Sequence, residues 1–222
     1  MKLLLVLCLV GVAFALPQKK YGNPDEWGSY YQGDIRLPLP SAKNGILDES
    51  YRWDGGVVPY EWSDSFDEGK KATVIQAMDS YADLTGGCIT FVERTTESSY
   101  VSYVDADDGC WSYVGRQGGM QEINYPQWCI DQYGSVQHEM YHALGFFHEQ
   151  SRTDRDDYVT IEWDNIEDGY DSNFIKYPAT YIGTFGEDYD YGSVMHYSAY
   201  AFSANGEMTI VTTDPTPLWT IL

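Results

Sequence analysis

Positive charge is scarce in this 222-residue chain, where 13 Lys+Arg stand against 34 Asp+Glu and the formal net charge is −21. The imbalance deepens from residue 44 onward, where 8 Lys+Arg face 31 Asp+Glu. Such a surface repels phosphate backbones and anionic lipid at long range, which argues against nucleic acid as a partner. A long apolar run is missing too. Residues 3–12 form the longest one, too short to span a bilayer as a helix, so no membrane anchor is expected. Cysteine is sparse. Cys8 lies in that N-terminal run, and Cys88, Cys110 and Cys129 remain. Any single disulfide leaves one thiol over, and spacing alone leaves the three pairings open. Histidine occurs four times. Internal repeats and low-complexity stretches are lacking. Aromatic residues, in contrast, make up 16% of the chain, which argues against disorder despite the charge.

The first residues read as an export signal. Lys2 gives a positive start, residues 3–12 an apolar stretch, and Ala13-Phe14-Ala15 the small-x-small pattern of a cleavage site. Residues 1–15 are thus expected to be removed, and the product to be secreted and extracellular. Residues 16–43 are rich in Pro, Gly and polar side chains and read as a tether. From Val57 the pattern becomes that of a folded domain. Residues 57–62 read as a strand that Pro59 demotes toward an edge. Asp64 or Ser65 is placed to cap a helix of about five turns, with Val74, Ala77, Met78 and Tyr81 on its apolar face, ending before Gly86-Gly87. Residues 89–92, 100–104, 111–114 and 121–124 read as short strands. A second helix is expected over residues 131–144, stopped by Gly145. Beyond it the periodicity is weak and loops are expected.

The chemistry concentrates in one stretch, His138-Glu139-Met140-Tyr141-His142-Ala143-Leu144-Gly145-Phe146-Phe147-His148. Two histidines four apart on a helix project from one face, which suits two nitrogen ligands on one zinc ion. Glu139 neighbours the first and is placed to act as general base. Gly145 lets the chain leave the helix sharply, so that His148 can return as a third ligand. Three protein nitrogens leave a position open, the mark of a catalytic rather than a structural site. Downstream stands Ser193-Val194-Met195-His196-Tyr197, and all four histidines of the chain fall within these two segments.

The run from His138 to Gln150, with Arg152-x-Asp154-Arg155-Asp156 and Ser193-x-Met195-His196-Tyr197, resembles the astacin family of zinc metallopeptidases in the metzincin clan. The similarity extends to Tyr51-x-Trp53-x-Gly55-Gly56-x-x-Pro59-Tyr60, Gly87-Cys88-Ile89-x-Phe91 and Gly109-Cys110-Trp111-Ser112-Tyr113-Val114-Gly115. It implies an α+β, two-lobed, zincin-like catalytic domain. The N-terminal lobe would carry a twisted mixed sheet and two long helices, and the C-terminal lobe would be largely irregular. Protein or peptide substrates would lie along the edge strand in the cleft between them. The resemblance also implies one Zn2+ per chain on His138, His142 and His148, with Glu139 as the base that activates water. Tyr197 would be an additional, detachable ligand that stabilises the oxyanion, Met195 the floor of a Met-turn, and Cys110–Cys129 a disulfide.

Activation features match as well. Tyr31-Gln32-Gly33-Asp34 resembles the family's propeptide motif, in which Asp34 would bind the zinc and hold a zymogen silent. Asn44-Gly45-Ile46-Leu47 resembles the mature N-terminus, and Lys43 before it suits an activating trypsin-like protease. Residues 16–43 are then a propeptide and 44–222 the peptidase domain, with the new amine at Asn44 pairing with Glu149. The family's catalytic domains continue to a C-terminal helix and a last cysteine that pairs with the equivalent of Cys88. Here an incomplete C-terminal end is expected, with Cys88 left without its partner. No Lys or Arg follows Lys176, so the family's preference for acidic residues just after the scissile bond is not carried over. The competing reading is a truncated, catalytically incompetent isoform or fragment that acts as a binding protein.

Overall fold

The computed structural model describes residues 23–37 and 47–214. The expected signal segment, Lys43 and Asn44 lie outside those residues. Strand β1 (Val57–Trp62) leads to helix α1 (Lys71–Leu84), and β2 (Thr90–Glu93), β3 (Tyr100–Val104), β4 (Trp111–Ser112) and β5 (Met120–Asn124) follow. A single helical turn, α2 (Gln127–Ile130), precedes helix α3 (Tyr133–Leu144), and β6 (Val159–Ile161) and β7 (Ile210–Thr212) lie in the second half. The five-stranded sheet has the order β2-β1-β3-β5-β4. Its strands pair in parallel except β4, which runs antiparallel to β5 at the edge.

The five expected strands form within one or two residues of the expected bounds, β4 ending at Ser112 rather than at residue 114, and the role expected for β1 is corrected. Strand β1 is internal, flanked by β2 and β3, and is not an edge. Pro59 is tolerated because pairing with β3 begins only at Tyr60, so Pro59 faces a register partner on β2 alone. Helix α1 is capped later than expected. Asp67, rather than Asp64 or Ser65, accepts the Gly69 amide at 2.6 Å and opens a 3-10 turn before the 14-residue helix. The second helix is broken at Gln132, whose backbone is extended, so that α2 and α3 replace one continuous element.

Val74, Ala77, Met78 and Tyr81 of α1 pack with Val136, Met140 and Ala143 of α3 and with Val58, Val101, Tyr103 and Ile123 of the sheet in one core cluster. That cluster buries one face of α3. The helix ends at Gly145, whose φ of 110° is left-handed and suits glycine. Its last carbonyls are claimed by distant residues. The Trp53 indole donates to Ala143 O at 2.8 Å, and the Gly115 amide donates to His142 O at 2.8 Å. A second cluster, including Val159, Ile161, Phe174, Tyr197 and Ile210, forms the other lobe. That lobe consists mainly of 3-10 turns and loops, with β6 and β7 as an antiparallel pair of three residues each. Strands so short carry no readable period, so the sequence pattern does not reveal them.

The stretch that reads as a tether is packed where it is described. Asp25, Glu26, Gln32, Asp34 and Ile35 are all buried. Side-chain contacts fix it: Asp25 accepts from the Ser135 hydroxyl at 2.7 Å, and Glu26 accepts from the Ser198 hydroxyl at 2.9 Å. Trp27 lies 5.5 Å from Trp128 between ring centres.

Of the three pairings open to the later cysteines, the one formed is Cys110–Cys129, and Cys88 is free and exposed. The bridge closes a 19-residue separation and ties α2 to the loop before β4. Replacing Cys129 by Ser should cost about 2–4 kcal/mol and lower Tm in thermal unfolding. In the native protein a thiol reagent should label Cys88 alone, as a mass shift of one adduct will show.

Candidate metal centre

Helix α3 supplies the first two histidines. His138 and His142 stand four residues apart on the face turned inward, and both are buried. The left-handed turn at Gly145 reverses the chain, and His148 returns to the same point. The Nε2 atom of His138 lies 3.1 Å from that of His142 and 3.2 Å from that of His148. Asp34 completes the group from the N-terminal segment. Its Oδ2 is 2.9 Å from His138 Nε2 and 3.1 Å from His148 Nε2, and its Oδ1 is 3.5 Å from His142 Nε2. Four ligand atoms, one from each residue, can be chosen within 4.8 Å of one another, and all four residues are buried.

The opposite ring nitrogens fix what these atoms offer. His138 Nδ1 donates to Val194 O at 2.6 Å, His142 Nδ1 to Phe146 O at 2.7 Å, and His148 Nδ1 to the Gln32 amide oxygen at 2.9 Å. A carbonyl oxygen only accepts, so each Nδ1 carries the proton. The Gln32 amide is oriented by its own Nε2, which donates to Ser151 Oγ at 3.1 Å. Each neutral ring therefore turns an Nε2 lone pair toward the centre, beside an anionic carboxylate. Lone pairs so crowded repel unless a cation lies among them. A tetrahedral zinc ion with bonds of about 2.0–2.1 Å sets its ligands about 3.3–3.4 Å apart, within a few tenths of an ångström of these separations. Geometry and donor chemistry both fit a zinc ion, with backbone and amide oxygens as the outer partners that orient each ring.

Electrostatics agree. Burial would raise the Asp34 carboxyl, but His148 and His142, together with hydrogen bonds from His138 and His142, hold it well below the usual carboxylate range. Asp25 and Asp34 outweigh burial and push the His138 imidazole up to about 10, so at neutral pH a proton occupies its Nε2 unless a metal ion takes that place. The pocket is thus built to attract positive charge. Glu139 is fully buried beside it, and both of its oxygens lack a hydrogen-bond partner among the described residues. Burial, reinforced by Asp34, pushes its carboxyl well above the ordinary range.

The remaining expected residues divide. Tyr197 is buried with its ring centre 4.6 Å from that of His148, and its hydroxyl donates to the Gln32 carbonyl at 2.5 Å. Met195 is buried, and its carbonyl accepts the Glu149 amide at 2.8 Å, which joins the two segments behind the site. Glu149 receives Arg152 at 2.9 Å and the Asp190 amide at 3.0 Å. His196, the fourth histidine, stays outside the group and bonds Tyr189 at 2.7 Å. Burial drops its imidazole to about 4, so it is a neutral packing residue at physiological pH.

Comparison with known proteins now decides the family. The sequence model for the Astacin peptidase family matches residues 45–221. The chain belongs to the astacin family. It is 38% identical to "Zinc metalloproteinase nas-4" of Caenorhabditis elegans over 83% of its own length and 61% of the relative's. To "Meprin A subunit beta" of Homo sapiens it is 45% identical over 82% of its length and 25% of the relative's. The chain therefore spans about six-tenths of the first relative and a quarter of the second. Among solved structures it is similar to High choriolytic enzyme 1, a hatching enzyme zinc-protease from Oryzias latipes, with a TM-score of 0.66 and 36% identity. That match covers 84% of this chain and 90% of the other. The α+β metzincin architecture expected from the sequence is the one observed.

Sequence reasoning missed what surrounds the astacin motif. Gln32 is an unassigned position between Tyr31 and Gly33 in the sequence, yet its side chain orients His148 and its carbonyl holds Tyr197. It adopts φ 51°, and Gly33 follows at φ 91°, where a Cβ would meet Asp25 O at 3.0 Å. This left-handed pair aims Asp34 into the pocket, and the Gly in the motif was the only signal of it. Gln32→Ala should leave the chain folded but weaken zinc binding about tenfold, measured by competition with a chromophoric chelator. An affinity equal to wild type would show that His148 needs no outer partner.

Proposed function

We propose that this chain is the precursor of a secreted zinc endopeptidase, with residues 1–15 as signal, 16–43 as propeptide and 44–222 as peptidase domain. The observation that carries this is the convergence of three Nε2 lone pairs on one buried point, with the Asp34 carboxylate closing the fourth side. His138, His142 and His148 would hold the metal. When bound, zinc supplies Lewis-acid polarisation of the scissile carbonyl and of the attacking water.

The chain's own residues do the rest. Glu139 takes the proton of water as its oxygen attacks the carbonyl carbon, and delivers it to the amine nitrogen as the C–N bond breaks. Asp34 is one of the groups that hold the Glu139 carboxyl up, so its departure, with the charge of a bound metal ion, favours the carboxylate that a base requires. No hydrogen bond among the described residues competes for it. Tyr197, once released from the Gln32 carbonyl, offers its hydroxyl to the oxyanion. Asp34 and Gln32 belong to the same segment, so one removal frees both the fourth side of the centre and the Tyr197 hydroxyl. A trypsin-like cut after Lys43 suits that removal, and Glu149 would then receive the Asn44 amine. The export pattern of residues 1–15 supports secretion, and no helix among the described residues is long and apolar enough to cross a membrane. No observation favours the binding-protein alternative over catalysis.

Two outcomes check this function. Glu139→Gln should keep one zinc per chain by elemental analysis, while kcat/KM falls about 100- to 10,000-fold. Near-normal turnover in that variant would place the base elsewhere. Asp34→Ala should make the uncleaved precursor hydrolyse peptides without processing. If it stays as silent as wild type, latency comes from steric cover by residues 23–37 instead.

A further inference from the structure

The N-terminal segment places a second side chain on the sheet edge, two residues beyond Asp34. The Ser112 amide donates to Asp34 O at 3.0 Å, and the Arg36 amide donates to Ser112 O at 2.8 Å. Ile35 thus bridges Ser112 in parallel, and the segment adds to edge strand β4 as an extended peptide would. In that register the Arg36 guanidinium lies over Trp111, 4.4 Å from the ring centre, and 5.6 Å from that of Tyr113. Its Nη1 is 2.8 Å from Glu122 Oε2 on β5. Trp111 is 2% exposed with Arg36 and Tyr30 covering it, the Tyr30 ring centre 5.3 Å away.

These contacts describe a corner with two aromatic walls and a carboxylate. Arg36 is its occupant in the precursor. When the segment leaves, the Trp111 indole and the Glu122 carboxylate lose the group that covers one and neutralises the other. An aromatic face beside a carboxylate recognises a cation, and a planar guanidinium above all. The net charge of −21 also draws basic peptides toward the surface.

We propose that Trp111, Tyr113 and Glu122 form a substrate subsite for a basic side chain, Arg before Lys, so that the enzyme selects peptides with such a residue near the cut. An extended chain advances about 3.3 Å per residue, so the two-residue offset from Asp34 sets the basic side chain about two or three residues from the scissile bond. This rests on the peptidase function proposed above, and it assigns Glu122 as the specificity-determining residue on this side of the centre.

The test uses the trypsin-treated chain after trypsin has been removed. A peptide library analysed by mass gives the cut positions and where Arg or Lys is enriched. Paired peptides with Arg or Gln at that position then give a ratio of kcat/KM. Wild type should favour Arg by about five- to tenfold, the range of one half-exposed ion pair reinforced by a cation–π contact. Glu122→Gln should bring the ratio near one, and Glu122→Lys should turn the preference toward Glu. In parallel, the synthetic peptide of residues 23–37 and its Arg36→Gln form are bound to wild-type and Glu122→Gln proteins by fluorescence competition. Loss of peptide affinity in both single changes, with no Arg preference in cleavage, would make Glu122 a propeptide latch only and overturn the subsite. An Arg preference that survives Glu122→Gln overturns it as well. If the treated wild type cleaves no peptide while the 23–37 peptide still binds through Glu122, the peptidase function fails, and the subsite with it.

Discussion

Three imidazole lone pairs and a carboxylate crowded into a buried space cannot rest there without positive charge among them, and much of the architecture serves that constraint. The three Nε2 atoms lie 3.1 and 3.2 Å apart from His138 outward, closer than unshielded lone pairs tolerate. Each is fixed by a proton on the opposite nitrogen, and each of those protons is held by an oxygen from a different part of the chain. Phe146 follows the helix, Val194 lies in the second lobe, and Gln32 belongs to the N-terminal segment. Removing any one acceptor would free a ring to turn or to change tautomer.

The packing of α3 explains how such a group is kept rigid. One face of the helix is committed to the core through Val136, Met140 and Ala143, and its end is tied down by the Trp53 indole and the Gly115 amide. The histidines cannot retreat without breaking these contacts. The second lobe has little regular structure, and it is held instead by aromatic packing around Tyr197 and Phe174 and by polar contacts such as Arg155 donating to the carbonyls of Gln150 and Phe174.

The N-terminal segment acts on the site in three distinct ways. Asp34 closes the fourth side of the histidine cluster, the Gln32 carbonyl accepts the Tyr197 hydroxyl, and the backbone from Asp34 to Arg36 covers the edge strand. Farther back, Asp25 and Glu26 anchor it on Ser135 and Ser198. Burial raises the Glu26 carboxyl to about 8, against three hydrogen bonds that favour its anion. The anchor is thus polar and enclosed, unlike the solvated tether that composition suggested.

What the sequence determined by itself is the set of groups and their local spacing. His138 and His142 share a helical face because their separation matches the helix period, and Gly145 ends that helix because glycine takes a φ of 110° easily. The place of Asp34 beside the three histidines is also the one that the matched motif implies. What only the tertiary structure decided is which atoms face the centre. The tautomers depend on acceptors that lie up to 116 residues away along the chain, and the Arg36–Glu122 pair joins residues 86 apart. The edge role expected for Pro59 and the loose tether failed for the same reason. A local pattern records propensity, whereas burial and strand neighbours are set by segments that meet only in the folded chain.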